Sequence, residues 1–128
     1  IRNDTDDDAR YSEMPAFGDI LEPEEIAATV EYVISLSSAE HDTALATAGT
    51  ELFADNCTSC HGDAAMGDED IGAPNLTDAI WLYGGDRETL TYTIVNARFG
   101  VMPAWGQRLS EEDVRAVAAY VHGLGGGE

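Results

Sequence analysis

The chain has 128 residues, of which 44% are hydrophobic, so it can bury the core of one domain or of one domain with an additional segment. It carries 25 acidic side chains against six arginines, for a net charge of −19. Such a surface repels phosphate backbones, which excludes nucleic acid as a partner, and no apolar run reaches the roughly 20 residues that span a bilayer. We therefore expect the chain as given to be soluble. Because it does not begin with Met, we also expect it to be cut from a longer protein.

Two helices are predicted in the first half of the chain. One begins at Pro23 and extends to about Ser35, because proline favours the first helical position, and its apolar face requires a packing partner. The second precedes the two cysteines, where apolar and small residues recur at spacings of three and four. These residues are Leu45, Gly49, Leu52, Phe53 and Cys57.

The segment CTSCH, residues 57–61, contains the only two cysteines of the chain, and four interpretations compete for it. A zinc site is disfavoured because only the distant His41 and His122 remain as further ligands. A redox dithiol should follow a strand, whereas TALATAGTELFADN has helical periodicity. A disulfide would close a very short loop and stabilise little. The fourth interpretation is covalent attachment of haem c, for which CxxCH is the signature.

In the haem interpretation Cys57 and Cys60 bond the two vinyl groups, and His61 is an axial ligand of the iron. The second axial position suits a soft thioether. Met102, in GVMPAWG, can reach the opposite face on a loop stiffened by Pro103. Met66 lies too close to the motif in sequence and is predicted to be a packing or pocket-wall residue.

Two further helices complete an all-α prediction. One extends from about Arg87 to Ala97 and is entered through a Gly-Gly turn. The last begins after Ser110, a suitable N-cap followed by three acidic residues, and ends at GLGGG. Its predicted apolar stripe consists of Val114, Val117, Ala118 and Val121.

Several features of the chain resemble class I cytochrome c. They are the spacing of Gly49, Phe53 and Cys57, the CTSCH and GAPNL segments, the Met102 loop, and Tyr120 in the last helix. The resemblance implies that the first and last helices of the domain cross where Gly49 meets Tyr120. It also implies that the backbone carbonyl of Pro74 accepts a hydrogen bond from the ring of His61.

Residues 14–36 and 102–124 align without a gap at an offset of 88 positions, which indicates an internal duplication. Residues 1–40 are therefore predicted to be the C-terminal half of a first cytochrome c domain, residues 41–48 a linker and helix start, and residues 49–128 a complete domain. Met14 becomes the candidate ligand of a first haem whose attachment segment would precede residue 1. An incomplete chain or a proteolytic fragment is favoured over a domain-exchanged assembly that supplies Met14 to another chain.

The chain also resembles the dihaem cytochrome c subunit of cbb3-type oxidases, the FixP/CcoP kind. The resemblance rests on the tandem arrangement and on three segments, GAPNLTDAIWLYGGD, ARYSEMPAFG and the ending YVHGLGGGE. The resemblance implies an electron-transfer subunit on the periplasmic face of the bacterial inner membrane, held there by an upstream anchor or by partner subunits. Electrons would enter from a donor cytochrome c or a bc1 complex and pass to the catalytic subunit. The alternatives are a free dihaem carrier and, in a different class, a haem peroxidase or gas sensor with a displaceable methionine.

Three further residues are candidates for the haem pocket. Trp81 and Trp105 are predicted to pack against the haem, with an indole hydrogen bond to a propionate as the alternative. Arg98 is either a propionate partner or a solvated arginine at a helix end. The acidity is interpreted as a device for solubility or salt adaptation, with steering of a basic partner as the alternative.

Overall fold

A computed structural model describes residues 13–37, 39–98 and 103–125. Within these ranges there are five α-helices and no β-strand, which confirms the all-α prediction. The helices are α1 (Pro23–Leu36), α2 (Thr43–Asn56), α3 (Thr58–His61), α4 (Arg87–Asn96) and α5 (Glu111–Gly123), and Phe17–Asp19 and Trp105–Gln107 form 3-10 turns. In the described ranges, no helix combines the length and the apolar character needed to cross a bilayer.

Polar side chains fix the starts of the helices, and α1, α4 and α5 begin where the sequence predicted. Pro23 occupies the first turn of α1, and the backbone N–H of Glu22 donates to the carboxylate of Glu25 at 2.9 Å. The other caps accept hydrogen bonds from the free N–H groups of the first turn, and they are Asp42 for α2, Asp86 for α4 and Ser110 for α5.

The described residues divide into two compact units, with residues 13–98 in one and residues 103–125 in the other. In the first unit α1, α2 and α4 pack around one apolar core. Its buried members are Phe17, Ile26, Val30, Val33, Ile34, Phe53, Ala65, Leu90 and Ile94. The first repeat copy and the cysteine-bearing helix therefore share a core.

The helices α1 and α2 make their closest approach at Gly49. A Cβ atom on Gly49 would lie 2.1 Å from the carbonyl oxygen of Ala28 and 2.8 Å from the Cβ of Tyr32. The ring of Tyr32 continues the contact to Phe53, with ring centroids 5.0 Å apart. Within this unit the aromatic residue beside Gly49 is Tyr32, the repeat equivalent of Tyr120. The crossing of Gly49 with Tyr120 that the family resemblance implies stays a prediction.

A buried carboxylate links α1 to the starts of α2 and α4. Glu31 is only 5% exposed and accepts hydrogen bonds from the guanidinium of Arg87 and from the backbone N–H of Asp42. The same guanidinium donates to the carbonyl oxygen of Glu40 at 3.0 Å. We call Glu31, Arg87 and Asp42 the Glu31 clamp. Its hydrogen bonds compensate for the cost of burying the charge.

The last helix forms as predicted, but its apolar stripe is exposed. Ser110 caps α5 and accepts from the N–H of Asp113 at 3.1 Å. Val117 and Val121 are nevertheless 46% and 57% exposed. The division of the sequence into half of a first domain (1–40), a linker (41–48) and a complete domain (49–128) remains a prediction from the repeat, since the compact unit of residues 13–98 combines parts of all three.

The substitution Gly49→Ala is expected to destabilise the first unit. A methyl group at that position would meet the backbone of α1, and overpacking of this kind costs about 1–3 kcal/mol. Urea unfolding followed by circular dichroism measures the loss. The control is Gly123→Ala at the end of α5, where a Cβ meets nothing within 4 Å. Equal unfolding midpoints for the two variants would contradict the close crossing.

The substitution Glu31→Gln is expected to lower stability in a pH-dependent way. The hydrogen bond from Arg87 holds the pKa of Glu31 below its ordinary value of 4.5. The ionised carboxylate therefore stabilises the fold fully above that pH, and its contribution is lost as pH falls through the lowered pKa. The difference in urea midpoint between the native chain and the variant should be largest at neutral pH and shrink in acid.

The control for this prediction is Glu111→Gln, which removes the ion pair of Glu111 with Arg115 on α5. Both side chains there are more than three quarters exposed, so the pair should contribute little. If Glu31→Gln were as harmless at neutral pH as Glu111→Gln, the Glu31 clamp would have no stabilising role.

Candidate functional site

His61 lies at the end of α3 with its ring held by a backbone carbonyl. The Nδ1 atom is 3.0 Å from the carbonyl oxygen of Pro74, as the family resemblance implied. Because a carbonyl only accepts, Nδ1 carries the proton and Nε2 keeps its lone pair. Burial lowers the pKa of His61, although the contact with Pro74 works in the opposite direction. The ring is therefore a neutral imidazole with one nitrogen available to a metal.

Cys57 joins α2 to α3, and Cys60 lies within α3. The N–H of Cys57 donates to the carbonyl of Phe53 at 2.8 Å, and the N–H of His61 donates to the carbonyl of Cys57 at 2.9 Å. These hydrogen bonds place Cys57, Cys60 and His61 within about one helical turn of one another.

The chemistry of the two thiols distinguishes between the interpretations of the motif. Both are free. Burial, with a smaller effect from Cys60, raises the pKa of Cys57 to about 11. Catalytic dithiols have lowered pKa values, so the structure disfavours a thioredoxin-like site. Two unpaired, half-buried thiols beside an unprotonated imidazole nitrogen are the donor set that covalent haem c requires.

The loop after His61 folds back over the motif. Gly67 donates its N–H to the carbonyl of His61 at 2.9 Å, and Leu76 donates to the carbonyl of Ala65 at 2.8 Å. Asp68 and Ala73 exchange two backbone hydrogen bonds of 3.0 and 2.9 Å. The loop is closed on itself, so the position of the Pro74 carbonyl is fixed by backbone contacts.

Gly67 has two properties that the loop depends on. Its φ is +81°, and a Cβ there would lie 2.4 Å from the carbonyl oxygen of Ala73 and 2.7 Å from the carbonyl carbon of Pro74. The backbone carrying Pro74 can reach His61 only because this side chain is absent. Sequence reasoning missed Gly67, although the glycines of HGDAAMGDED that flank the turn carry a signal for such a loop.

The aromatic residues near the site differ in their surroundings. Trp81 is partly buried, packs against the core and lies against the backbone of Gly85. Tyr83, in contrast, is half exposed. A packing role for Trp81 is consistent with this placement, and a hydrogen bond to a propionate remains a prediction.

Arg98 is held by two aromatic rings. Its guanidinium carbon lies 4.3 Å from the ring centroid of Tyr83 and 4.7 Å from that of Tyr92, and its Nε donates to the hydroxyl of Thr93 at 3.0 Å. Cation–π contacts of this kind are worth about 0.5–1 kcal/mol at exposed sites. Arg98 is thus neither freely solvated nor defined as a propionate partner, and that role remains a prediction.

The structure thus brings together Cys57, Cys60, His61 and Pro74. Met102 lies outside the described residues. Trp105 belongs to the other unit, where Arg108 lies 5.4 Å above its ring. Met66 is 65% exposed, and its role as a packing or pocket-wall residue stays a prediction. Met14, from the first repeat copy, is partly buried and packs against the core that Cys57 also contacts.

The substitution Gly67→Ala is expected to displace the Pro74 carbonyl from His61 and to lower the free energy of unfolding by about 1–3 kcal/mol beyond backbone strain. The matched control is Gly62→Ala, which also has positive φ (+76°) but open space around its Cβ. The NMR signal of the His61 ring N–H reports the hydrogen bond directly, and urea unfolding reports the stability. If the hydrogen bond between His61 and Pro74 persists in Gly67→Ala, then Gly67 does not position the Pro74 carbonyl.

Comparison with known proteins agrees with this geometry. Residues 44–121 match the family of cytochrome c oxidase, cbb3-type, subunit III. Over its whole length the chain is 62% identical to the Cbb3-type cytochrome c oxidase subunit CcoP of Cereibacter sphaeroides, covering 45% of that protein. It is 51% identical over 96% of its length to subunit FixP of Azorhizobium caulinodans and 51% identical over its whole length to CcoP of Rhodobacter capsulatus.

The chain spans less than half the length of these relatives: it covers 42% of the FixP sequence and 46% of the Rhodobacter capsulatus sequence. The family match begins at the start of α2 and includes the cysteine motif, the Pro74 loop and most of α5. The all-helical fold and the donor set around His61 are those of class I cytochrome c, which carries covalent haem c. The chain belongs to the family of subunit III of cbb3-type cytochrome c oxidases.

Proposed function

We propose that this chain is a periplasmic protein that transfers electrons through a covalent haem c. It would receive electrons from a donor cytochrome c or a bc1 complex and pass them toward the catalytic subunit of a cbb3-type oxidase. The observation that carries the proposal is the hydrogen bond from His61 Nδ1 to the Pro74 carbonyl, which leaves Nε2 free for iron. The names of the relatives, all subunits of such oxidases, favour this function over a free dihaem carrier.

Each residue of the site would make a different contact with the haem. Cys57 and Cys60 would bond the vinyl groups, and His61 would be the first axial ligand. The sequence predicts Met102 as the second. When bound, haem iron supplies a reversible one-electron couple. The protein fixes the plane of the imidazole through Pro74, and the hydrogen bond raises the basicity of the coordinating nitrogen.

The environment of the motif suits an electron carrier. Ala65 is fully buried and Leu76 partly buried beside it, so the loop limits the access of water to this side of the site. Lower polarity around a haem affects its reduction potential. The net charge of −19 would attract a basic donor over a distance set by the ionic strength.

Haem attachment is tested by intact mass and a pyridine haemochrome assay on the full chain produced with cytochrome c maturation. We expect one covalent haem, lost when Cys57→Ala is combined with Cys60→Ala. The control Ser59→Ala keeps both cysteines and His61 and should retain the haem. A chain that never acquires haem would refute the proposal at its centre.

Electron transfer from a donor to this chain is tested by stopped-flow measurement of its reduction by a basic donor cytochrome. Steering by the acidic surface predicts a bimolecular rate that falls as salt is added, by about 10-fold or more between low and high ionic strength. If the rate does not change with salt, the acidic residues serve solubility and do not steer the donor. Rapid binding of carbon monoxide to the ferrous haem would instead favour a sensor or peroxidase with a displaceable methionine.

A further inference from the structure

We propose that Asn75 is a positioning residue for His61: its side-chain carbonyl holds the peptide bond between Pro74 and Asn75 in the orientation that the His61 ring requires. The link is the 3.0 Å hydrogen bond between His61 Nδ1 and the carbonyl oxygen of Pro74. Because Asn75 acts through His61, the proposal rests on the proposed function. It deepens that function by naming a residue that sets the reduction potential of the haem.

The carbonyl of Pro74 and the N–H of Asn75 belong to one planar peptide unit. The ring of Pro74 restricts its own φ to about −65° and leaves ψ, which turns this plane, to be set by the residues that follow. One face of the plane lies against Gly67, where a Cβ would be 2.7 Å from the carbonyl carbon of Pro74 and 2.8 Å from the nitrogen of Asn75. The direction of the carbonyl therefore depends on how the segment after Pro74 is held.

The side chain of Asn75 holds that segment. Its Oδ1 atom accepts from the backbone N–H of Thr77 at 2.8 Å and from the hydroxyl of Thr77 at 2.7 Å. Between the two residues, the N–H of Leu76 donates to the carbonyl oxygen of the fully buried Ala65 at 2.8 Å. Three hydrogen bonds thus fix the chain directly after the peptide bond, and two of them end on the Oδ1 atom of Asn75.

Two neighbouring turns of the same type are formed by carboxylates. Asp68 accepts from the N–H of Asp70 at 2.8 Å, and Asp78 accepts from the N–H of Ile80 at 2.8 Å. The turn at Asn75 uses a neutral amide, although the chain carries 25 acidic side chains. An aspartate could accept the same two hydrogen bonds, but its negative charge would favour ferric over ferrous iron. The amide therefore supplies the geometry of the turn without the charge.

The test compares Asn75→Ala and Asn75→Asp in the haem-loaded full chain. The alanine variant loses the acceptor, so we expect the NMR signal of the His61 Nδ1–H in the ferrous state to move upfield as its hydrogen bond is lost. The reduction potential should rise, because a less basic imidazole stabilises ferric iron less. Asn75→Asp keeps the acceptor and adds a charge, so the signal should stay and the potential should fall.

Thr77 provides a second pair of variants. Thr77→Val removes the hydroxyl and keeps the backbone N–H, so it should move the His61 signal in the same direction as Asn75→Ala but less far. Thr77→Ser keeps the hydroxyl and should restore the native signal. The matched control compares Asp78→Ala with Asp78→Asn. Both lose the same charge and only the alanine variant loses its turn, so the His61 signal and the potential should agree between them.

An unmoved His61 N–H signal in Asn75→Ala overturns the inference, and so does a potential that changes in the same direction in Asn75→Ala and Asn75→Asp. A merely structural role for Asn75 predicts a lower urea midpoint with the signal and the potential unchanged. If Asn75→Ala does not fold, Thr77→Val and Thr77→Ser decide the question.

A native chain that takes up no haem overturns the proposed function instead. The position of the Nδ1–H signal in the haem-free native chain and its Thr77→Val variant then decides whether the turn at Asn75 holds the His61 hydrogen bond. The two failures are therefore distinct.

Discussion

The structure of the first unit depends on the contact of α1 with α2 at Gly49. The carbonyl oxygen of Ala28 lies where a side chain at position 49 would begin, so the two helices cross at backbone contact distance. At that separation Tyr32 reaches Phe53, which is hydrogen-bonded through its carbonyl to Cys57. The position of α1 is thereby coupled to the turn that carries the haem-attachment residues, through packing and one backbone hydrogen bond.

The Glu31 clamp limits how α1 can be positioned along α2. Apolar contacts alone allow α1 to slide along α2, because burial of hydrophobic surface has little geometric preference. A buried carboxylate that must accept from both the start of α2 and the guanidinium at the start of α4 permits few arrangements. Its desolvation is offset only when both donors are in place, so the clamp specifies register more than it adds stability.

Much of the fold and of the site could be predicted from the sequence because the signals are local. Pro23 and Ser110 act within one turn of their own helices, and CTSCH with Pro74 defines the His61 environment within 13 positions. The partner of Gly49 could not be predicted, since Tyr32 and Tyr120 satisfy the same pattern. The pairing of Glu31 with Arg87 could not be predicted either, because the two residues are separated by 56 positions and belong to no common motif.

A duplicated sequence gives each surface two potential partners, and the choice between them rests on small differences in free energy. A preference of 1.4 kcal/mol already gives a ratio of about ten to one, which a single clamp or a single buried isoleucine can supply. The boundary of a packed unit then need not coincide with the boundary of the repeat. In this chain the unit runs from the end of one copy into the body of the next.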